Sequence, residues 1–227
     1  MKAFARLYSR IDSTTSINAK VAAMTAYFRE AEPADAAWAV YFLSGGRPKR
    51  LIPVRRIAGW ALEMANVPEW LFDECYHSVG DLAETIALLL PTNDGATQPA
   101  DVPLHRWVGE RLLPLATMSE DEQRAAVLSA WADLSGTERY IWNKLITGSF
   151  RVGVSEQLVA RALARVSFAL VRSAFLVVAV QAEHVEQRVT TLRQRDAERG
   201  EIDGRGLDLR EQLLLFLRHM LTDLTGQ

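Results

Sequence analysis

The chain has 227 residues, of which 49% are hydrophobic, and its formal net charge at pH 7 is -2. This length and composition allow a substantial buried core and exclude an intrinsically disordered chain. Because the overall charge is close to zero, any nucleic-acid partner must be held by local basic patches.

The first predicted elements are short helices that follow one another closely. Apolar residues recur at helical spacing from Phe4 to Ile11 and predict the first helix. Ser16 is a residue type that caps helix N-termini, and it predicts a second helix that continues to Phe28. A third helix is predicted over residues 35–43 and is ended by a pair of glycines, Gly45-Gly46.

Charge is then segregated along the chain. Five basic residues and no acidic one lie within residues 47–56, namely Arg47, Lys49, Arg50, Arg55 and Arg56. Residues 63–84 hold six carboxylates and no Lys or Arg. This separation predicts an electrically two-faced domain that can orient on a polyanion, although a solvated surface would explain it as well.

Large apolar side chains accompany the acidic residues. Because carboxylates repel nucleic acid, we expect these side chains to lie in the core and not to stack on bases. They are Trp60, Leu62, Trp70, Leu71, Phe72 and Tyr76.

The middle of the chain also has clear helix signals. Asp81 is a predicted N-cap for a strongly apolar helix over residues 82–90. A loop follows, and then a helical run over residues 104–115. Ser119 with Glu122 predicts a capping box at the start of the next helix. Strand signals are nearly absent, so the sequence predicts an all-α fold, a compact domain of packed helices.

The pattern of residues 142–166 predicts a helix, then a turn that contains glycines, and then a second helix. Gly148 is placed for a left-handed C-terminal cap, and Ser155 is placed to cap the second helix. Between Gly148 and Gly153 the backbone can approach another molecule closely. Helix N–H donors, together with Arg151 and Lys144, suit an anion such as a backbone phosphate. An ordinary interhelical turn is the alternative.

Three segments of the chain resemble the N-terminal DNA-binding domain of ATP-dependent DNA ligases, in particular bacterial ones. The segments are STTSINAKVAAMTAYF at residues 13–28, VGDLAETIALLL at residues 79–90, and KLITGSFRVGVSEQLVARALA at residues 144–164. They occur in the family's order and approximate spacing, and the resemblance covers about residues 1–166. It implies a helical DNA-binding domain over residues 1–167.

The resemblance implies a grip on duplex DNA, nicked in the family's reaction, through phosphates and the minor groove without base-sequence readout. Ligases of this family join nicks in DNA replication, repair and recombination. Three elements are expected to contact DNA. They are Lys144, Gly148, Ser149, Arg151, Gly153 and Ser155 around the glycine turn, then Ser16, Asn18 and Lys20, and then Arg47, Lys49 and Arg50. For Asn18 and Lys20 a solvated helix start is the competing interpretation.

Residues 168–227 depart from the family pattern and predict two C-terminal helices, residues 168–199 and 207–224. In the family, a lysine in a K-x-D-G motif takes the AMP, with ATP and Mg²⁺ as cofactors. Here the nearest match is Glu201-Ile202-Asp203-Gly204, and a carboxylate cannot form the lysine–AMP bond. We therefore expect no catalytic residue and no cofactor in this chain. Truncation, a frameshift or a replaced C-terminus would each explain the departure, and ligase catalytic domains on a longer product are a possible partner.

Other chemistry is not indicated. The four histidines are scattered, without a second ligand at metal-binding spacing, so no metal site is predicted. Cys75 is the single cysteine and is expected to be an inert thiol in a reducing cytoplasm. The most apolar run, residues 173–182, is shorter than the ~20 residues that span a bilayer, and the N-terminus lacks the apolar core of a signal peptide, so no membrane association is expected.

Two alternatives remain open. One is a helical protein–protein interaction module that uses the two terminal helices for docking, because an apolar run such as residues 168–180 would require a partner if it were not buried. The other, ranked lowest, is an active ligase with an unusual nucleophile.

Overall fold

A computed structural model describes residues 1–48, 51–91, 101–134 and 136–166. The described residues form helices and contain no strand, which confirms the predicted all-α class. The α-helices are α1 (Lys2–Asp12), α2 (Ile17–Glu30), α3 (Pro33–Leu43), α4 (Val54–Ala65), α5 (Glu69–Val79), α6 (Leu82–Leu89), α7 (Leu104–Arg106), α8 (Glu120–Asp133), α9 (Gly136–Thr147) and α10 (Glu156–Leu163). Helix α7 continues as a π-helix (Trp107–Leu112) and a 3-10 helix (Leu113–Thr117). The predicted C-terminal helices, Lys49 and Arg50 lie outside the described residues.

The predicted caps in the first two-thirds of the chain are confirmed. The Ser16 side chain accepts a hydrogen bond from the Ala19 N–H at the start of α2. Asp81 Oδ1 accepts from the first turn of α6. Ser119 and Glu122 form the reciprocal capping box of α8. Such caps satisfy N–H groups that the helix itself leaves unpaired, and so they fix where each helix begins.

One hydrophobic core joins the described helices, and α3 lies inside it, because all of its residues from 36 to 43 are buried. Helix α1 buries Phe4, Leu7, Tyr8 and Ile11, the stripe that the sequence predicts. Helix α2 packs against α1 and α10, and α9 packs against α1 and α6. This arrangement brings the start of α2 close to the turn between α9 and α10.

A buried arginine connects the ends of several elements. The Arg139 side chain is 1% exposed and donates hydrogen bonds to backbone carbonyl groups. The acceptors are Leu90, Pro91, Trp131 and Leu134. Burial lowers the pKa of Arg139, but an arginine keeps its charge at any physiological pH. The guanidinium therefore satisfies carbonyls that loop and helix ends would otherwise leave without a partner.

The prediction that the apolar residues of 60–76 all lie in the core is partly wrong. Trp60 and Phe72 are buried, whereas Trp70 is 66% exposed and Tyr76 is 41% exposed. Phe72 is the one buried residue of α5, which packs mainly against α6. Because α5 contacts the rest of the protein along one narrow stripe, its other aromatic side chains are exposed to solvent. No helix of the described residues is long and apolar enough to cross a membrane.

Candidate nucleic-acid interface

The turn between α9 and α10 begins with a glycine in the left-handed conformation. Gly148 has φ 66°, which confirms the predicted cap. The Ser149 N–H donates to the Lys144 carbonyl (2.9 Å), and the Gly148 N–H donates to the Leu145 carbonyl (3.2 Å). These two bonds are those of a Schellman motif, and they direct the chain sharply away from the end of α9.

Beyond Gly148 the residues alternate between core and solvent. Phe150 and Val152 are buried, whereas Ser149, Arg151 and Gly153 are exposed. The two buried side chains anchor the turn in the core, and the residues next to them face outward. The turn is therefore open to solvent.

Phe150 anchors the turn by packing against three aromatic rings of the core. The Phe150 ring lies 5.8 Å from the ring centroid of Phe4, 5.6 Å from that of Tyr8 and 6.0 Å from that of Phe42. The Tyr8 hydroxyl also donates a hydrogen bond of 3.4 Å to the carbonyl of Arg151. Burial, together with the hydrogen bond to Tyr140, raises the pKa of Tyr8, so its hydroxyl keeps the proton that it donates.

The start of α2 lies against the far end of the turn. Lys20 Nζ donates a 2.8 Å hydrogen bond to the carbonyl oxygen of Gly153. Gly153 also has a positive φ, 63°, and a Cβ at this position would lie 3.3 Å from Lys20 Nζ. Ser16 and Asn18, in the same helix start, are exposed. Two of the three predicted elements therefore meet in space.

The basic segment after α3 lies next to Gly148, where the turn begins. A Cβ at Gly148 would lie 3.6 Å from the carbonyl oxygen of Pro48, and the neighbouring Arg47 is exposed. Lys49 and Arg50 lie outside the described residues, so their place at the turn stays a prediction.

Lys144 and Arg151 have different surroundings. The Lys144 side chain is 13% exposed, its Nζ forms an ion pair with Asp81 Oδ2, and it stands 5.4 Å from the Tyr140 ring centroid. Arg151 is exposed, and its side chain has no hydrogen-bond or ion-pair partner among the described residues. The geometry thus favours Arg151 as the side chain that contacts a ligand, and it favours an internal role for Lys144.

Ser155 occupies the N-cap position of α10 as predicted, but its side chain makes no capping hydrogen bond. Ser155, Glu156 and Gln157 are all exposed. The helix start therefore faces solvent beside Gly153, without its own side-chain cap.

Sequence reasoning missed three contributors to the site. Tyr8 and Phe150 position the turn through contacts between distant parts of the chain, and no local pattern predicts such contacts. Asp81 was expected only to cap α6, whereas its second carboxylate oxygen also holds Lys144. This second contact of Asp81 depends on the packing of α6 against α9, which the sequence alone does not show.

Charge segregation is weaker in three dimensions than along the chain. Arg56 pairs with Glu120, and Glu63 pairs with Arg124, so α8 neutralises the charges on both sides of the junction between the basic and acidic segments. Arg47 and Arg55 are exposed.

The described residues thus form a helical domain with an open glycine turn, flanked by the starts of two helices and by exposed cationic side chains. Residues 1–164 match the family model described as the N terminus of DNA ligase. The chain therefore belongs to the DNA ligase N-terminal domain family, which confirms the resemblance to that domain, while the likeness to bacterial ligases in particular stays a prediction. No curated protein matches the chain.

Proposed function

We propose that this chain is the DNA-binding domain of an ATP-dependent DNA ligase and grips duplex DNA at a nick without reading base sequence. The main support is the convergence of Arg151, Lys20 and the Arg47 segment on one solvent-facing glycine turn. Cationic side chains and helix N-termini bind phosphate oxygens, and such contacts fix position without sequence information.

Each element has a proposed part in this grip. Arg151 and Ser149 contact a phosphate from the turn, while Gly148 and Gly153 let the backbone come close to it. Lys20 donates to Gly153 with one of its three N–H groups, which leaves two for a phosphate. Ser16, Asn18 and Ser155 supply neutral donors at the two helix starts. Arg47, with Lys49 and Arg50, extends the contact along the DNA backbone.

Lys144 has a positioning role in this proposal. Its ion pair with Asp81 holds the last turn of α9 against the start of α6. Because the turn leaves α9 a few residues later, the pair fixes the place from which Ser149 and Arg151 project. A direct phosphate contact by Lys144 would require that ion pair to open.

Nick joining itself needs groups that these residues do not supply. The family's reaction uses ATP, Mg²⁺ and a lysine in K-x-D-G, and that motif does not occur in the sequence. Among the described residues no group of three His, Cys, Asp or Glu side chains is placed to hold a metal ion. In this proposal ligase catalytic domains that act together with this chain carry out adenylation, in the cytoplasm, in DNA replication, repair or recombination.

The test is a titration of the full chain with nicked and intact duplexes of unrelated sequences at several salt concentrations. If several phosphates are contacted, affinity falls steeply, by orders of magnitude between ~50 and ~200 mM salt, and to a similar degree for each sequence. Binding that ignores salt, or a chain that binds no duplex, would contradict the proposal.

The alternative, a protein-interaction module built on the two C-terminal helices, rests on residues 168–227. These residues lie outside the described part of the chain, so the alternative stays a hypothesis. Size-exclusion chromatography separates the two ideas, because an obligate dimer or heterocomplex indifferent to DNA is expected only of such a module.

A further inference from the structure

The outward side of α5 exposes aromatic rings to solvent. Trp70 is 66% exposed and Tyr76 is 41% exposed, and the Tyr76 ring lies 6.1 Å from the ring of His77. An exposed tryptophan leaves a large apolar area in water, and tryptophan is enriched where proteins meet partners. A single exposed aromatic residue is common, so the chemistry around Trp70 has to decide what it does.

Trp70 shares its side of α5 with carboxylates. Asp73 and Glu74 follow it at i+3 and i+4, which places them on the same side of the helix, and both are exposed. Neither has an ion-pair partner among the described residues, and Glu69 and Glu84 nearby have none either. Glu63, Glu110 and Glu120, by contrast, each pair with an arginine.

The sequence explains why these carboxylates have no intramolecular partner. No lysine or arginine occurs between Arg56 and Arg106. The α5 surface therefore carries negative charge around an aromatic ring, without a cation of its own segment to neutralise it.

Elsewhere in this protein, a tryptophan and a carboxylate together bind an arginine side chain. Arg111 stacks over the ring of Trp107 at 4.4 Å, and its Nη1 donates a 2.6 Å hydrogen bond to Asp133 Oδ2. A tryptophan and a carboxylate thus hold one guanidinium between them. Trp70, Asp73 and Glu74 present the same chemical groups to solvent without the arginine.

We propose that the outward side of α5, formed by Trp70, Asp73, Glu74 and His77, is a docking surface for an arginine-rich segment of another protein. A guanidinium of that segment stacks on Trp70, and the carboxylates accept its N–H groups. Arginine fits better than lysine because its planar, weakly hydrated fork both stacks on rings and pairs with carboxylates. The negative charge of this surface disfavours duplex DNA as the occupant, because carboxylates repel phosphates. The inference does not depend on the proposed DNA grip.

The test uses the full chain and a short fluorescein-labelled peptide of alternating arginine and alanine, followed by fluorescence anisotropy. We expect Trp70→Ala to weaken binding roughly tenfold, because it removes the cation–π contact, and Trp70→Phe to weaken it less. The paired change Asp73→Asn and Glu74→Gln should weaken binding and flatten its salt dependence. A lysine–alanine peptide should bind more weakly than the arginine–alanine peptide.

Glu30→Gln is the matched control, because Glu30 is an exposed carboxylate on α2. It should leave peptide affinity unchanged, and all of these exposed substitutions should leave the unfolding temperature unchanged. Equal affinity for every variant would show diffuse charge attraction and overturn the proposal. Displacement of the peptide by duplex DNA, or self-association of the chain that Trp70→Ala abolishes, would assign the surface to DNA or to a second copy instead.

Discussion

At the scale of single residues, two cations close together in the sequence differ in what they can do. Lys144 is 13% exposed and committed to Asp81, whereas Arg151 projects into solvent from a turn whose neighbouring residues, Phe150 and Val152, are buried. An exposed cation that has no carboxylate partner keeps its full capacity for a phosphate. A buried, paired cation must first lose its partner.

The proposed grip therefore predicts a specific effect of Arg151→Ala. The variant should bind every duplex sequence more weakly by a similar factor and should lower the slope of log affinity against log salt by about 1, because one phosphate contact is lost. The control is Arg6→Ala, which removes an exposed arginine from the side of α1 opposite to Tyr8. An unchanged slope for Arg151→Ala would remove this residue from the set of phosphate contacts.

Arg139 supports the fold from inside. Replacing it with methionine preserves much of its volume but leaves four backbone carbonyls without their donor. Each unsatisfied buried polar group costs about 1–3 kcal/mol, so we expect a loss of at least about 3 kcal/mol in the free energy of unfolding. Arg124→Met, which breaks only the exposed ion pair with Glu63, should cost less than about 1 kcal/mol. Urea denaturation of both variants measures the difference.

At the scale of elements, the turn between α9 and α10 depends on two glycines in the left-handed region. At Gly148, φ 66°, an alanine would be strained by about 1–2 kcal/mol although space is available. At Gly153, φ 63°, it would be strained and would also press on Lys20 Nζ. Gly153→Ala should therefore reduce DNA affinity more than Gly148→Ala, because only Gly153→Ala displaces Lys20. Equal DNA affinities would argue against a functional link between Lys20 and the turn.

The double role of Asp81 gives a test of how α6 and α9 are joined. Asp81→Ala removes the cap of α6, for about 0.5–2 kcal/mol, and it also leaves Lys144 without its partner. Ser119→Ala removes the cap of α8 but breaks no ion pair between helices. Thermal unfolding should therefore show the larger loss for Asp81→Ala. Lys144→Met should recover part of that loss in the double variant, because it removes the unpaired cation.

The same elements show what the sequence can predict. Ser16, Asp81, Ser119 and Gly148 act through atoms within a few residues, so their caps follow from local pattern. The bond from Lys20 to Gly153 joins residues that are 133 positions apart, and only the packing of α2 on α10 brings it about. Likewise, the hydrophobicity of Trp70 predicts a place in the core. Its exposure follows from the packing of α5, which contacts mainly α6, and the sequence does not show that packing.

At the scale of the whole molecule, the two proposed surfaces differ in charge and in the elements that carry them. The turn, the start of α2 and the segment after α3 carry the proposed DNA contacts, while α5 presents carboxylates around Trp70. A domain with this distribution would hold DNA on one surface and leave the acidic surface available to a basic protein. The near-zero net charge is consistent with both, because attraction depends on local fields and not on the total.

We expect the free energy of unfolding to fall at alkaline pH, because three buried tyrosines resist ionisation in the folded state. Burial raises the pKa values of Tyr8, Tyr27 and Tyr41 above the ordinary value of 10.0, so each keeps its proton in the folded state. The stabilisation is complete below the pKa of the unfolded chain. Above about pH 10 the unfolded state ionises first, and stability falls by up to roughly 1.4 kcal/mol per pH unit for each of these tyrosines.

Phenolate absorbance of Tyr8, Tyr27 and Tyr41 should therefore rise in a later, cooperative phase above about pH 10 that coincides with loss of helical circular dichroism. Tyr8→Phe keeps the ring contacts with Phe150 but removes a buried hydroxyl, so the later phase should move to higher pH. If Tyr8, Tyr27 and Tyr41 ionise while the helices persist, the core around Phe150 is more open than the contacts of these rings imply.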